Sequence, residues 1–327
     1  MNDRAWPRAS FIVCCFNQEQ YIEEAVKAAF AQDYPNLEIV LSDDGSRDRT
    51  LEIARHLADE YRGPHELLVN ERAGGEGVLA HVYDAAAKSG GELLVMAAGD
   101  DVSHPQRVRR LVEEWQRTGA AALTSRYRFI DEAGAQLPAT PPTTTGYELG
   151  RYFPGKEVRQ IAGATSAYDR RVFEAIKLPS EPVISEDYFF SLMLGLRSQD
   201  VACVEEPLVD YRRHSAALSG GGKLLRDEEA GAARTAGWTS QLLRLLERYA
   251  DDPSLIDQEW GAPARIDRAA LRADRAFFDY MSGWLSAPWP RRWTALARHG
   301  GGIRSKWLAS RIFGLTGLER LRKLQGR

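Results

Sequence analysis

Short apolar runs alternate with stretches whose apolar positions recur every three or four residues. The runs at 10–15, 37–42, 67–70 and 92–97 predict buried strands. Between them, Ile22, Ala25, Val26, Ala29 and Phe30 mark one face of a helix over 21–32, and the same spacing predicts helices over 50–61 and 78–89. A fourth helix over 105–117 opens on Pro105, a residue suited to a first helical turn. Strand–helix alternation with short connections predicts an α/β fold, a mostly parallel, twisted sheet covered by helices.

The pattern changes beyond residue 120. Residues 121–130 predict a strand and 131–134 a turn, and a Pro- and Thr-rich loop spans 137–155. A strand over 161–168, a short helix entered at Glu186 and running to 196, and strands at 201–204 and 208–212 follow. The glycine run at 219–223 reads as a boundary. Beyond it the chain reads as helical, with a stripe of Trp238, Leu242, Leu245, Leu246 and Tyr249 and a second helix over 266–284. This divides the chain into an α/β half of the size of a nucleotide-binding unit (1–120), a second half of the same domain (121–222) and a C-terminal helical extension (223–327).

Composition narrows the class. With 327 residues, 44% hydrophobic and 27% charged, the chain is long enough for a catalytic domain with an appendage. A net charge of −3 gives no reason to expect a nucleic-acid partner. Cys14, Cys15 and Cys203 have no metal-site spacing and suit a reducing cytosol. There is no leader-like start and no run near the roughly 18 apolar residues that span a bilayer. The expected location is cytoplasmic. The segment 288–327 holds ten Lys/Arg against Glu319, with Trp289, Trp293 and Trp307, which suits peripheral contact with an anionic membrane surface. A helix packed on the catalytic domain is the alternative.

Three acidic pairs carry the candidate chemistry. Asp43-Asp44 ends the second strand, where open α/β sheets bind ligands, and Gly45-Ser46 turns the chain toward the next helix. A capped loop with solvated acids is the plain alternative. Asp100-Asp101 ends the fourth strand, and two adjacent acids there call for a compensating cation. A hard divalent ion, held jointly with a nucleotide diphosphate, would supply it. Glu186-Asp187 opens a helix, where acids also serve as dipole partners, and as part of the set it is the natural general base. Arg212, Arg213 and His214 close the last strand and are candidates for phosphate or metal contact, a solvated strand end being the plainer reading. His81 reads as a packing residue. The Gly74–Gly77 loop lacks the Lys-Ser/Thr of a P-loop, and the first strand lacks a dinucleotide fingerprint.

Taken in order, the motifs resemble the family 2 glycosyltransferases. The opening Phe11-Ile12-Val13-Cys14-Cys15-Phe16-Asn17-Gln18-Glu19 and the stretch from Ala31 to Ile39 carry the likeness, as does Asp43-Asp44-Gly45-Ser46-Arg47-Asp48. Gly99-Asp100-Asp101 stands at that family's Asp-x-Asp position, Glu186-Asp187 at its Glu-Asp motif, and Tyr211-Arg212-x-His214 at a later element. The likeness covers about residues 10–219.

The resemblance implies a fold of the glycosyltransferase A type and an inverting transfer from a nucleotide-diphospho-sugar, a UDP-sugar first, with Mg²⁺ or Mn²⁺. The acceptor would be a glycan or a lipid-linked chain in cell-surface or capsular polysaccharide biosynthesis. Cys14, Phe16, Asn17, Glu19, Asp43 and Asp44 would line the nucleotide, with Asp44 on the base. Asp100 would meet ribose or metal. Asp101 and His214 would be metal ligands, and Asp187, beside Glu186, the general base. Two positions depart from the pattern: Ala98 replaces the first acid of the fuller motif, and Cys14 stands where relatives often carry Thr or Ser. A nucleotidyltransferase on a similar sheet would want a glycine-rich, basic signature where Phe16-Asn17-Gln18-Glu19 stands. A non-catalytic nucleotide-sugar-binding scaffold would have no need of all three acidic pairs.

Overall fold

The computed structural model describes residues 6–138, 149–156, 158–214 and 225–283, with backbone alone for 225–232. The glycine boundary at 219–223, part of the Pro/Thr-rich loop and the basic tail lie outside the described residues.

The strands are β1 (Ala9–Cys15), β2 (Leu37–Asp43), β3 (Glu66–Glu71), β4 (Leu93–Ala98), β5 (Val102–Ser103), β6 (Ala122–Ile130), β7 (Ala167–Asp169) and β8 (Val201–Arg212). The helices are α1 (Ile22–Phe30), α2 (Thr50–Glu60), α3 (Val78–Lys88), α4 (Arg107–Thr118), α5 (Arg171–Ala175), α6 (Glu186–Leu196), α7 (Leu225–Asp251) and α8 (Arg268–Ser282). One sheet runs in the order β3-β2-β1-β4-β7-β6-β8-β5. The pairs β1–β2, β1–β4, β2–β3 and β6–β8 are parallel, and β7 and β5 run against their neighbours. The sheet is therefore mixed but mostly parallel.

Both faces are covered, as near-continuous apolar strands require. On one face, Ile22 and Val26 of α1 and Val108 and Leu111 of α4 pack with Phe11, Ile39 and Val95. On the other, Leu79 and Val82 of α3 and Phe189 and Phe190 of α6 pack with Ile12, Leu94 and Tyr168. Leu242, Leu245 and Leu246 of α7 and Leu271, Phe277 and Phe278 of α8 join that second cluster. The C-terminal helices thus share a core with the sheet.

Two local readings change. The expected strand over 161–168 is a 3-10 turn at Gly163–Thr165 followed by β7, because Thr165 N–H turns back to Ala162 O at 3.0 Å. The two strands expected at 201–204 and 208–212 are one, β8. Its register with β6 shifts around Arg126, opposite Pro207, which has no N–H to donate to a ladder.

Candidate active site

The carboxyl ends of β1, β2 and β4 lie side by side, with Cys15 opposite Asp43 and Cys14 opposite Ala98. Beyond them the chains remain tied: Asp44 N–H donates to Cys15 O (3.0 Å) and Gly99 N–H to Cys14 O (2.9 Å). Two acidic pairs therefore leave the sheet at one edge. Gly45 sits at φ +80° against the glycine-rich loop, where a Cβ would lie 2.7 Å from Ala73 O. The loop's Gly74, at φ +75°, packs on Asp44 in return, so these glycines serve close backbone approach.

Within the first pair the two acids differ. Asp43 is 1% exposed, and its Oδ2 accepts Gly45 N–H (3.0 Å) and Ser46 N–H (2.8 Å). It folds its own loop. Asp44 is turned the other way and pairs with Arg72, whose guanidinium also reaches Glu76 at 2.7 Å. Asn17, at φ 53°, accepts Arg47 N–H at 2.8 Å, and Glu19 accepts Arg49 N–H at 3.0 Å. Both side chains buckle the loop after β1 to the loop after β2. Asp48, not Ser46, receives the first N–H of α2, at Thr50 (3.0 Å). Phe16 holds its ring out, 53% exposed. Burial raises the Cys14 thiol pKa strongly, and Glu186 and Asp44 add to it while Arg72 opposes. The third acidic pair thus reaches the end of β1.

In the second pair, Asp101 is buried, and its Oδ1 accepts Arg212 N–H at 2.8 Å. Burial, then the neighbouring Asp100, pushes its carboxyl up to about 8. Asp100 Oδ2 lies 2.9 Å from His214 Nε2, and the His214 ring packs on Tyr21 with centroids 4.7 Å apart. Arg212, one of the strand-end candidates for phosphate or metal contact, is 1% exposed and engaged inside the protein. It donates to Asp100 O (2.9 Å), Glu132 O (3.1 Å) and Glu24 (2.6 Å), and its guanidinium lies 5.0 Å from the Tyr21 ring centre. Its role is to hold the Asp100-Asp101 turn. Among the described residues no three His, Cys, Asp or Glu side chains form a metal cage. Asp100 and His214 lie together, and a pair of that kind suits a divalent ion only in the open manner of magnesium, which commonly takes one or two carboxylates and leaves other positions to water and phosphate oxygens.

The third pair opens α6. Asp187 is anchored by two backbone donors, Tyr188 N–H (2.7 Å) and Gly163 N–H (3.2 Å). Glu186 lies over Gly163, where any Cβ would collide with its carboxylate. Burial raises both carboxyls above their usual values, and for Glu186, raised to about 8, repulsion from Asp187 adds to it. The helix N-terminus favours the charged forms, yet burial dominates.

Arg107 joins the second and third pairs, a link the sequence reading missed. It is wholly buried and donates to Met96 O on β4 (2.6 Å), Ala164 O in the Gly163–Thr165 turn (3.0 Å) and Ser103 Oγ (2.8 Å). Burial lowers its pKa to about 9, against the opposing pull of Asp101. Arg72, Tyr21 and Gly163 were missed too, for each acts on residues distant in sequence. His81 is the packing residue expected, its Nε2 2.9 Å from Ser42 Oγ. A depression of about 570 Å³ lined by Trp6, Trp115 and Arg171 lies where β1 begins, at the opposite end of the strands, and holds none of the acidic pairs.

A mixed but mostly parallel sheet with acidic pairs beyond its carboxyl edge is the glycosyltransferase A architecture. The structure superposes on S. aureus TarS with UDP-GlcNAc at a TM-score of 0.57, with 16% identity, covering 92% of this chain and 78% of that one. It matches mannosyltransferase PcManGT from Pyrobaculum calidifontis, with GDP-Man and Mn²⁺, at 0.56, with 18% identity, covering 94% and 80%. The chain belongs to glycosyl transferase family 2, whose family model matches residues 10–177. EpsE of Bacillus subtilis (strain 168) is 30% identical over 145 residues, 41% of this chain and 50% of EpsE. The succinoglycan biosynthesis protein ExoO of Rhizobium meliloti (strain 1021) is 24% identical over 218 residues, 64% of this chain and 61% of ExoO. The chain thus spans less than two thirds of either relative.

Proposed function

We propose that the protein is an inverting, metal-dependent glycosyltransferase that moves a sugar from a nucleotide diphosphate to an acceptor hydroxyl in cell-surface polysaccharide biosynthesis. The observation that carries this reading is the convergence of three acidic pairs at one sheet edge, each pair with one carboxylate held by backbone N–H groups. Asp44 and Arg72 would meet the base, and Asp100, Asp101 and His214 would be the residues that hold Mg²⁺ or Mn²⁺. When bound, the ion supplies positive charge to the departing diphosphate.

Asp187 accepts the acceptor hydroxyl's proton as that oxygen bonds to the anomeric carbon. The bond from that carbon to the diphosphate oxygen breaks in the same displacement, from the opposite face, so the configuration inverts. Tyr188 and Gly163 N–H groups fix the Asp187 carboxylate in place for this transfer. A UDP-sugar is the first donor to test and a lipid-linked or growing glycan the acceptor, at the cytoplasmic face of the membrane.

Calorimetric titration with UDP, GDP, CDP and dTDP, with Mg²⁺, Mn²⁺ or EDTA, tests this on wild type, Asp101→Ala and Asp187→Asn. One nucleotide is expected to bind only with metal. Asp101→Ala should lose that binding, whereas Asp187→Asn should keep it and lose turnover at least a hundredfold. A folded wild type that binds none of the nucleotides would overturn this reading and favour a non-catalytic scaffold that binds a partner instead.

A further inference from the structure

Beside the acidic pairs, the sheet presents an aromatic shelf that the donor reading does not use. Tyr127 and Phe129 of β6 and Tyr211 of β8 pack ring to ring, with centroids 5.1 to 5.8 Å apart. Phe129 and Tyr211 face each other in register, and the Arg213 guanidinium lies 4.7 Å from the Phe129 ring centre. Tyr127 is 38% exposed, and Arg213 is exposed beside it. Rings grouped on an open strand surface keep apolar area in water, which marks a binding surface more often than a packing one.

Both strands run from the shelf into the site. Tyr211 precedes Arg212 and His214, which hold Asp100. On β6, Thr124 Oγ1 lies 2.7 Å from Thr165 Oγ1, in the turn whose Gly163 holds Asp187. At strand spacing, Thr124 and Phe129 are about 16 Å apart, so the shelf begins within a few sugar units of the base. The face agrees as well. Arg212 points to Tyr21 and Glu24 on the α1 side, so Tyr211, its neighbour on the strand, points to the side that α6 covers.

We propose that this shelf is the acceptor subsite, and that its ligand is a carbohydrate chain with a sugar ring lying on Tyr127, which Phe129 supports from beside it. The proposal rests on the transferase reading above. A pyranose ring has a C–H face that packs on an aromatic face while its hydroxyls stay in water; Tyr127 offers such a face, and Phe129, capped by Arg213, backs it. Arg213 adds a planar donor for ring hydroxyls or for a carboxylate or phosphate substituent on the glycan. The chain is thereby held with its terminal hydroxyl toward Asp187.

The test uses full-length protein with the nucleotide and metal that bind wild type. Saturation-transfer NMR is recorded with cellotriose, maltotriose, triacetylchitotriose and mannotriose, and with polyprenyl phosphate in detergent micelles. Wild type is expected to contact at least one trisaccharide. Tyr127→Ala and Phe129→Ala should weaken that contact at least tenfold, Tyr127→Phe should restore it, and nucleotide affinity should stay within twofold. Trisaccharide binding unchanged in both Ala variants overturns the proposal, as does contact from the polyprenyl phosphate alone or from no probe. A several-degree loss of Tm in Tyr127→Ala would also overturn it, since the ring would then be packed by the chain itself. If wild type binds no nucleotide, the transferase reading fails first and the shelf proposal falls with it.

Discussion

At the scale of single residues, each acidic pair divides its work. Asp43 folds its loop while Asp44 faces Arg72, and Asp101 is pinned by Arg212 N–H while Asp100 meets His214. Asp187 is anchored by backbone, and Glu186 is left in a crowded, half-buried position with its carboxyl pushed up to about 8. A carboxyl raised in the folded state keeps a proton that the unfolded chain releases near its usual 4.5. Its contribution to stability is complete below that value and is lost as pH rises toward 8. Glu186→Gln should therefore melt with wild type at pH 3.5 and a few degrees above it at pH 8.5, as scanning calorimetry would show. Equal melting at pH 8.5 would remove the claim that Glu186 is charged at a cost. Asp187 is raised too, so the acid limb of kcat/KM should lie above the ordinary carboxylate range.

At the scale of elements, α6 is the part that most needs support, because its N-terminus carries the base and its body is buried. Its far end is held by Arg197, 3% exposed, which donates to Gly261 O (2.6 Å), Trp260 O (3.2 Å) and Gln258. Those acceptors lie in the connection between α7 and α8. The same connection also meets the body of the protein through Asp257 N–H to Ala175 O (2.8 Å) and Ala264 N–H to Leu196 O (2.8 Å). Arg197→Ala leaves these part-buried carbonyls without their charged donor, a loss of about 3 kcal/mol. A fall in Tm of roughly 6–10 °C is expected, with faster proteolysis between α7 and α8. An unchanged Tm would mean that the connection is held by its backbone bonds alone.

At the scale of the whole molecule, the alternation read from apolar spacing is the sheet that formed, from β1 through β4 with α1 to α4 around it. The antiparallel insertion of β7 was not legible. A three-residue strand has too little pattern to announce its direction, and β4 and β6 on either side of it decide that. No helix among the described residues is long and apolar enough to cross a membrane. If the basic tail binds an anionic surface, truncation before Pro288 should abolish co-sedimentation with phosphatidylglycerol vesicles in low salt. Retained co-sedimentation would place any membrane contact elsewhere on the chain.

The sequence by itself determined the layered α/β plan and the positions of the acidic pairs at strand and helix ends. Hydrophobic periodicity and turn chemistry are local, and each is written within a few neighbouring residues. Only the tertiary structure decided which carboxylate of each pair is held inside, and that Arg212 and Arg107 are internal braces. It also decided that α7 and α8 share the sheet's core. The reason is that the deciding partners come from far along the chain. Arg212 reaches Asp101 across 111 residues, Arg107 reaches Ala164 across 57, and Arg72 reaches Asp44 across 28. No local pattern records which distant donor will arrive at a buried acceptor, and in a dry site that arrival sets each group's role.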